Sequence, residues 1–223
     1  MKYIELVREF NTACNCGAPT SPGLPGLPTD NQRIIRFQCI AEELAEVVEA
    51  VAARDLIWTL RETCDLQYVI DGAFVIYAAD KAGLTIPGWD SNAAGPPMLP
   101  MSIDASMMHL TAMARGAAEV GATMIGGGDW KTIATVVLEL RSMLATWWTA
   151  LRVPDELRWD MFQALHVANM TKRTAGVNAA GRVQKPKDWQ PADFEAVLKE
   201  HGYTVPAITP YMAVQIAEAQ GAN

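Results

Sequence analysis

Ile4, Val7 and Phe10 recur at helical spacing near the N-terminus, so the pattern predicts a helix from Tyr3 to about Thr12. The stretch that follows, CNCGAPTSPGLPGLPTD, is too dense in Pro and Gly to continue it. From Asn31 to about Ala53 the sequence NQRIIRFQCIAEELAEVVEAVAA has neither Gly nor Pro and is rich in good helix formers, with Asp30 or Asn31 placed to cap its start. A second long helix is expected from about Leu56 to Ala82, stopped by Gly83 and Pro87. Its latter half is apolar on nearly every face, as befits a helix buried in a bundle or a subunit interface. Beyond the linker PGWDSNAAGPPMLP, helical spacing returns at about Ser102 to Val120 and Trp130 to Leu151, with GATMIGGGD as the turn between them. Further helices are predicted at Asp155 to Asn169 and at about Ala192 to His201. No alternating run is long enough for a sheet, so the expected class is all-α, an antiparallel helix bundle.

At 223 residues, half of them apolar, the chain can bury a sizeable core in one domain. A formal charge of −7 argues against a nucleic-acid surface, which needs clustered Lys and Arg. No apolar run is long enough to cross a bilayer, and MKYIELVREF carries charges where a signal peptide would be apolar. A cytoplasmic protein with no membrane partner is therefore expected. Cys39 and Cys64 lie within helical sequence, which favours reduced thiols, and Cys14-x-Cys16 lacks the second ligand pair that a structural zinc requires.

The informative chemistry is acidic. Glu42, Glu43 and Glu46 on the first long helix are answered by Glu62 and Asp65 on the second. Residues three apart share a helix face, so Glu43 with Glu46, and Glu62 with Asp65, form two carboxylate pairs. If the helices make an antiparallel hairpin turning near Arg54, Glu43 and Asp65 are equally far from the turn, as are Glu46 and Glu62. The heights within a pair differ by about 4.5 Å, and paired catalytic metals sit about 3.5–4 Å apart. Glu43, Glu46, Glu62 and Asp65 are accordingly the candidate ligands of one or two hard cations, and an oxygen-only set favours Mg²⁺, with Mn²⁺ substituting. EExxE by itself also reads as a solvated helix face; the matching second pair separates the two readings.

Glu42-Glu43-Leu44-Ala45-Glu46 followed by Glu62-Thr63-Cys64-Asp65 resembles the EExxE…ExxD signature of the all-α NTP pyrophosphohydrolases, which include MazG, phosphoribosyl-ATP pyrophosphohydrolase and dimeric dUTPase. LQYVIDGAFVIYA after the second block, and VREFN and the Arg33 to Arg36 stretch before the first, are similar to the phosphoribosyl-ATP pyrophosphohydrolase-like branch. So are His166-Val167-Ala168-Asn169-Met170-Thr171-Lys172, which looks like HxxNMxK, and GRVQKPKDWQPADF. The resemblance implies a MazG-like bundle in which Asn169, Lys172 and Lys185 contact the nucleotide or its phosphates. It covers about residues 1–82 and 155–198 and leaves 83–154 as a helical insertion of unassigned role in a single domain spanning 1–223.

The expected activity is Mg²⁺-dependent hydrolysis of a nucleoside triphosphate to its monophosphate and pyrophosphate, with Glu42 or Glu46 as general base. Similarity to phage MazG-like enzymes, including the MazZ type acting on dGTP, makes a purine (deoxy)nucleoside triphosphate such as dGTP the expected substrate. A dUTPase-like or phosphoribosyl-ATP-cleaving enzyme, or a non-catalytic helical module, are the alternatives. A hairpin with apolar outer faces also suggests a homodimer or homotetramer. Other features read as architecture: GGGD at 126–129 lacks the Lys-Ser/Thr of a phosphate-binding loop, Trp147, Trp148 and the Met101, Met107, Met108, Met113 series suit core or interface, and His109, His166 and His201 suit packing or surface. Trp89 and Trp189, in loops, are the candidates for base stacking.

Overall fold

A computed structural model describes residues 2–14, 16, 28–77, 97–98, 103–178 and 182–204. Trp89, Met101, most of the two Pro/Gly-rich stretches and the predicted continuation of the second long helix past Tyr77 lie outside the described residues. Within them the chain forms α1 (Lys2–Ala13), α2 (Asp30–Ala52), α3 (Leu56–Ile76), α4 (Ile103–Ile125), α5 (Trp130–Ala150), α6 (Asp155–Met170), a 3-10 turn (Thr171–Thr174) and α7 (Phe194–Glu200). The fold is all-α; among the described residues the nearest thing to a strand is one antiparallel bridge between Val177 and Val183. No described helix is long and apolar enough to cross a membrane.

The start of α2 differs from expectation in its cap. Thr29, not Asp30 or Asn31, caps the helix, accepting from the Gln32 amide while the Gln32 side chain accepts from the Thr29 amide. At the other end Ala53 and Arg54 turn the chain, Arg54 with φ 58°, and Asp55 caps α3 through the Trp58 amide. The hairpin thus turns where the acid spacing requires.

α4 is longer than predicted and runs through Gly121. The reason is packing: a Cβ at Gly121 would lie 2.3 Å from the Phe37 ring of α2, so glycine is what lets the two helices approach. The turn before α5 shrinks to residues 126–129, with Gly127 at φ +79° and Asp129 as the N-cap. GGGD is therefore the α4–α5 connection, as expected. Met113 is core, whereas Met107 and Met108 of the same series are exposed.

α3 is the axis of the bundle. It packs against α1, α2, α5, α6 and α7, and 15 of its 21 residues are buried. Burial on every side obliges its polar residues to find partners, and Thr63, Gln67 and Asp71, four apart, form a stripe that α5 answers. Trp147 Nε1 donates to Thr63 Oγ1 at 3.2 Å, Trp148 Nε1 to Gln67 Oε1 at 2.9 Å, and Arg141 Nε to Asp71 Oδ1 at 2.9 Å. The apolar outer surface of the hairpin, from which self-association is expected, is met within the same chain by α4 on α2 and α5 on α3.

The Arg141–Asp71 pair is almost wholly out of water, so removing one partner strands the other charge. Arg141→Leu or Asp71→Leu should each cost about 3–5 kcal/mol in urea unfolding, and the double variant distinctly less than the two losses added together. Additive losses would show that the pair does not couple α5 to α3.

Candidate active site

Burial leaves α3 one window. Past its first turn the part-exposed residues are Arg61, Asp65 and Val69, again four apart and opposite the stripe that meets α5. All three line a cavity of about 430 Å³, large enough for a nucleotide. α2 runs antiparallel alongside and supplies Glu43 and Glu46 to the same cavity, and Glu62 joins them from α3.

One carboxylate oxygen from each of Glu43, Glu62 and Asp65 lies within 4.8 Å of the other two. Glu46 stands beside them, its carboxyl hydrogen-bonded to that of Glu62. The pairing by distance from the turn holds: Glu46 meets Glu62, and among charged neighbours Asp65 acts most strongly on Glu43. Burial, reinforced by the neighbouring acids, pushes Glu43 up to about 8. Burial, then the Glu46 hydrogen bond, does the same for Glu62, also to about 8. Asp65 is pushed up to about 6, burial outweighing the opposing pull of Lys172 and Lys185. Among the described residues no basic side chain comes within salt-bridge distance of Glu43, Glu62 or Asp65. Crowded oxygens that must hold protons when no cation is present are a donor set suited to a hard divalent ion.

Glu42, the other candidate base, points elsewhere. Its carboxylate takes both arms of the Arg182 guanidinium, Nη1 at 2.9 Å and Nη2 in closer contact, on the surface beside the cavity. Arg182 itself lines the cavity, so this pair ties the segment carrying Lys185 to α2.

The C-terminal block brings its residues to the same place. Asn169, at the end of α6, is buried, while Lys172, Lys185 and Trp189 line the cavity opposite the acids. Trp189 is anchored by donating from Nε1 to the Ala168 carbonyl at 3.1 Å, and the two ammonium groups lie over its ring, Lys172 at 4.8 Å and Lys185 at 4.3 Å from the centroid. The ring thus holds two like charges near each other by cation–π attraction. Desolvation, then Lys185, lowers the pKa of Lys172 against the pull of Asp65 and Glu43.

His166 packs rather than lining the cavity. Its Nε2 lies 3.5 Å from the Glu9 carboxylate, which fixes the proton there and leaves Nδ1 to accept from the Tyr68 hydroxyl at 3.0 Å. His201 pairs with Asp160 at 2.8 Å, and Trp147 and Trp148 are core. All four cysteines are free thiols.

Among the lining residues not expected at the site are Asn11, Arg36, Arg61 and Arg182. Asn11 had a legible signal, since it sits on the apolar stripe Ile4, Val7, Phe10 of α1, where a polar residue needs a reason. Arg61 follows from being four before Asp65. Arg36 and Arg182 lie in stretches that carry the family resemblance, but nothing in their spacing singles them out.

Compared with known proteins, residues 25–78 match the family model described as phosphoribosyl-ATP pyrophosphohydrolase. No curated protein and no solved structure matches the chain. The matched segment is the α2–α3 hairpin with both of its acidic pairs, and it places residues 25–78 in the MazG-like superfamily of all-α nucleotide pyrophosphohydrolases, hydrolases of phosphoric anhydride bonds.

Proposed function

We propose that this chain hydrolyses a nucleoside triphosphate to its monophosphate and pyrophosphate with Mg²⁺, acting on a purine deoxynucleotide such as dGTP. The observation that carries the reading is the convergence of Glu43, Glu62 and Asp65 within 4.8 Å, facing Lys172 and Lys185 across one nucleotide-sized cavity. The choice of a purine rests on the resemblance to phage MazG-like enzymes.

Glu43, Glu62 and Asp65, with Glu46 at their edge, are the residues to hold the cation; Mn²⁺ has the same ligand preference. When bound, the ion neutralises phosphate charge and lowers the pKa of coordinated water. Lys172 and Lys185, set by Trp189, bind the phosphates as point charges, and Arg61, whose buried Nε has no protein partner, is a third candidate for them. Asn169 contacts the nucleotide from the end of α6. Water attacks the α-phosphorus, the α–β anhydride bond breaks, and pyrophosphate leaves with the bonding electrons. Glu46 takes the proton from the water, because it opens on the cavity while Glu42 is committed to Arg182. The matched family's description favours a second reading, phosphoribosyl-ATP, which belongs in the same substrate panel.

Pyrophosphate release from the canonical dNTPs, dUTP and phosphoribosyl-ATP should depend on Mg²⁺ or Mn²⁺. Glu46→Gln should lower kcat by roughly 10²-fold or more, and Asp65→Asn should raise the Mg²⁺ needed for half-maximal rate. Release from no substrate, or release untouched by both substitutions, removes the proposal.

A second check uses pH. Because the fold raises Glu43 and Glu62 from 4.5 to about 8 and Asp65 from 3.8 to about 6, it binds more protons than the unfolded chain between these limits. The metal-free protein should therefore lose stability as pH rises from about 4.5 to 8. Mg²⁺ replaces those protons, so its gain in Tm should grow over the same range. A Tm gain independent of pH in differential scanning fluorimetry would contradict these ligands.

A further inference from the structure

The acids and lysines of the cavity suit phosphates, but another part of its lining is built differently. α1 brings Val7, Phe10 and Asn11 to it, α2 brings Arg36 and α6 brings Asn169. Asn11 and Asn169 are only 3% and 4% exposed, yet each has a buried side-chain atom without a partner: Nδ2 of Asn11, a donor, and Oδ1 of Asn169, an acceptor. An unpaired buried amide atom is destabilising, and two of opposite character on residues lining one cavity point to a ligand that pairs with both.

The orientation of Asn11 is set by its surroundings. Arg36 Nη2 at 3.4 Å and Cys16 Sγ at 3.5 Å both donate to its Oδ1, and Arg36 Nη2 also donates to the Cys16 carbonyl at 3.0 Å. Turning the amide over would set its NH₂ against two donors, so the open atom is the donor. The Arg36 guanidinium beside it has five N–H groups and no acceptor. This corner therefore offers donors, and Asn169 supplies the acceptor.

Nucleobases differ at the edge such a pair would read. Guanine, hypoxanthine, uracil and thymine carry a carbonyl beside a ring N–H; adenine and cytosine carry an amino group beside a bare ring nitrogen. A carbonyl oxygen accepts two hydrogen bonds and a ring nitrogen one, so a corner with both Asn11 and Arg36 as donors favours the carbonyl. We propose that Asn11, held by Arg36 and Cys16, determines specificity by donating to the carbonyl of an oxo base, while Asn169 Oδ1 accepts from the adjacent ring N–H. Phe10 and Val69 form apolar walls for the ring. The proposal deepens the nucleotide reading above and rests on it.

The test is calorimetric binding of dGMP, dUMP, dAMP and dCMP without added metal, alongside turnover of the triphosphates. Wild type should bind dGMP or dUMP roughly tenfold or more tighter than dAMP and dCMP. Asn11→Asp, which replaces the donor with an acceptor at nearly constant volume, should abolish that preference. Asn11→Ala removes the donor without adding charge and provides the same comparison if the Asp variant does not fold. Equal binding of all four, or a preference unmoved in a folded variant, overturns the inference. Turnover without base preference overturns it while leaving the hydrolase reading intact. Selective binding without turnover does the reverse, and the absence of both binding of the four and turnover overturns both.

Discussion

A helix buried on all sides but one decides much of this structure. α3 is surrounded by α1, α2, α5, α6 and α7, so its residues meet either core or the single strip of Arg61, Asp65 and Val69. Nothing on that strip is incidental to the cavity, because each of the three residues lines it. The opposite stripe of Thr63, Gln67 and Asp71 is equally constrained: each finds its partner on α5. Rotation of α3 by a single residue, about 100°, would bury Asp65 and strand those partners together. The helix therefore has one stable azimuth, and that azimuth sets where its carboxylates point.

The same azimuth creates an electrostatic cost. Glu62 and Asp65 meet Glu43 and Glu46 where burial already penalises charge, so three of the four shift toward protonation. Such an arrangement gains nothing for folding by itself, since like charges repel and desolvation opposes ionisation. The C-terminal block offsets part of it at a distance: Lys172 and Lys185 pull Asp65 back toward ionisation from across the cavity. They do so without closing on the acids, because the Trp189 ring holds both ammonium groups. Under the proposed function, the space between the two sets of charges is where a metal-bound polyphosphate would find complementary contacts.

The hairpin was legible in the sequence because its logic is arithmetic: two acid pairs equidistant from Arg54 meet at matched heights in any antiparallel pair of helices. Helix positions were legible for the same reason of period. The Thr29 cap was missed because three adjacent residues, Thr29, Asp30 and Asn31, are all competent caps and only the Gln32 contact chooses among them. The long α4 was missed because Gly121 reads locally as a breaker, while its use is tertiary, against Phe37. Glu42 and Glu46 are indistinguishable on a helical string; they differ by Arg182, a residue 140 positions away in the chain. Asn11 shows the reverse case, a polar residue on an apolar stripe whose meaning appears only when it is seen to line the cavity with a buried amide nitrogen that has no partner.

The role of α4 and α5 follows from these contacts. A hairpin of α2 and α3 alone would leave Thr63, Gln67 and Asp71 facing outward among apolar neighbours, and a bare bundle face of that kind calls for another helix to cover it. α5 supplies that helix with side chains specific to each position: two indole N–H groups for a hydroxyl and an amide, and a guanidinium for a carboxylate. Generic apolar packing would bury the face but would not select the rotation of α3, whereas three polar contacts in register do. α4 completes the layer by lying close against α2 through Gly121. The α4–α5 pair is thus part of the site's support: by fixing α3 from behind, it keeps Glu62 and Asp65 beside Glu43 and Glu46 in front.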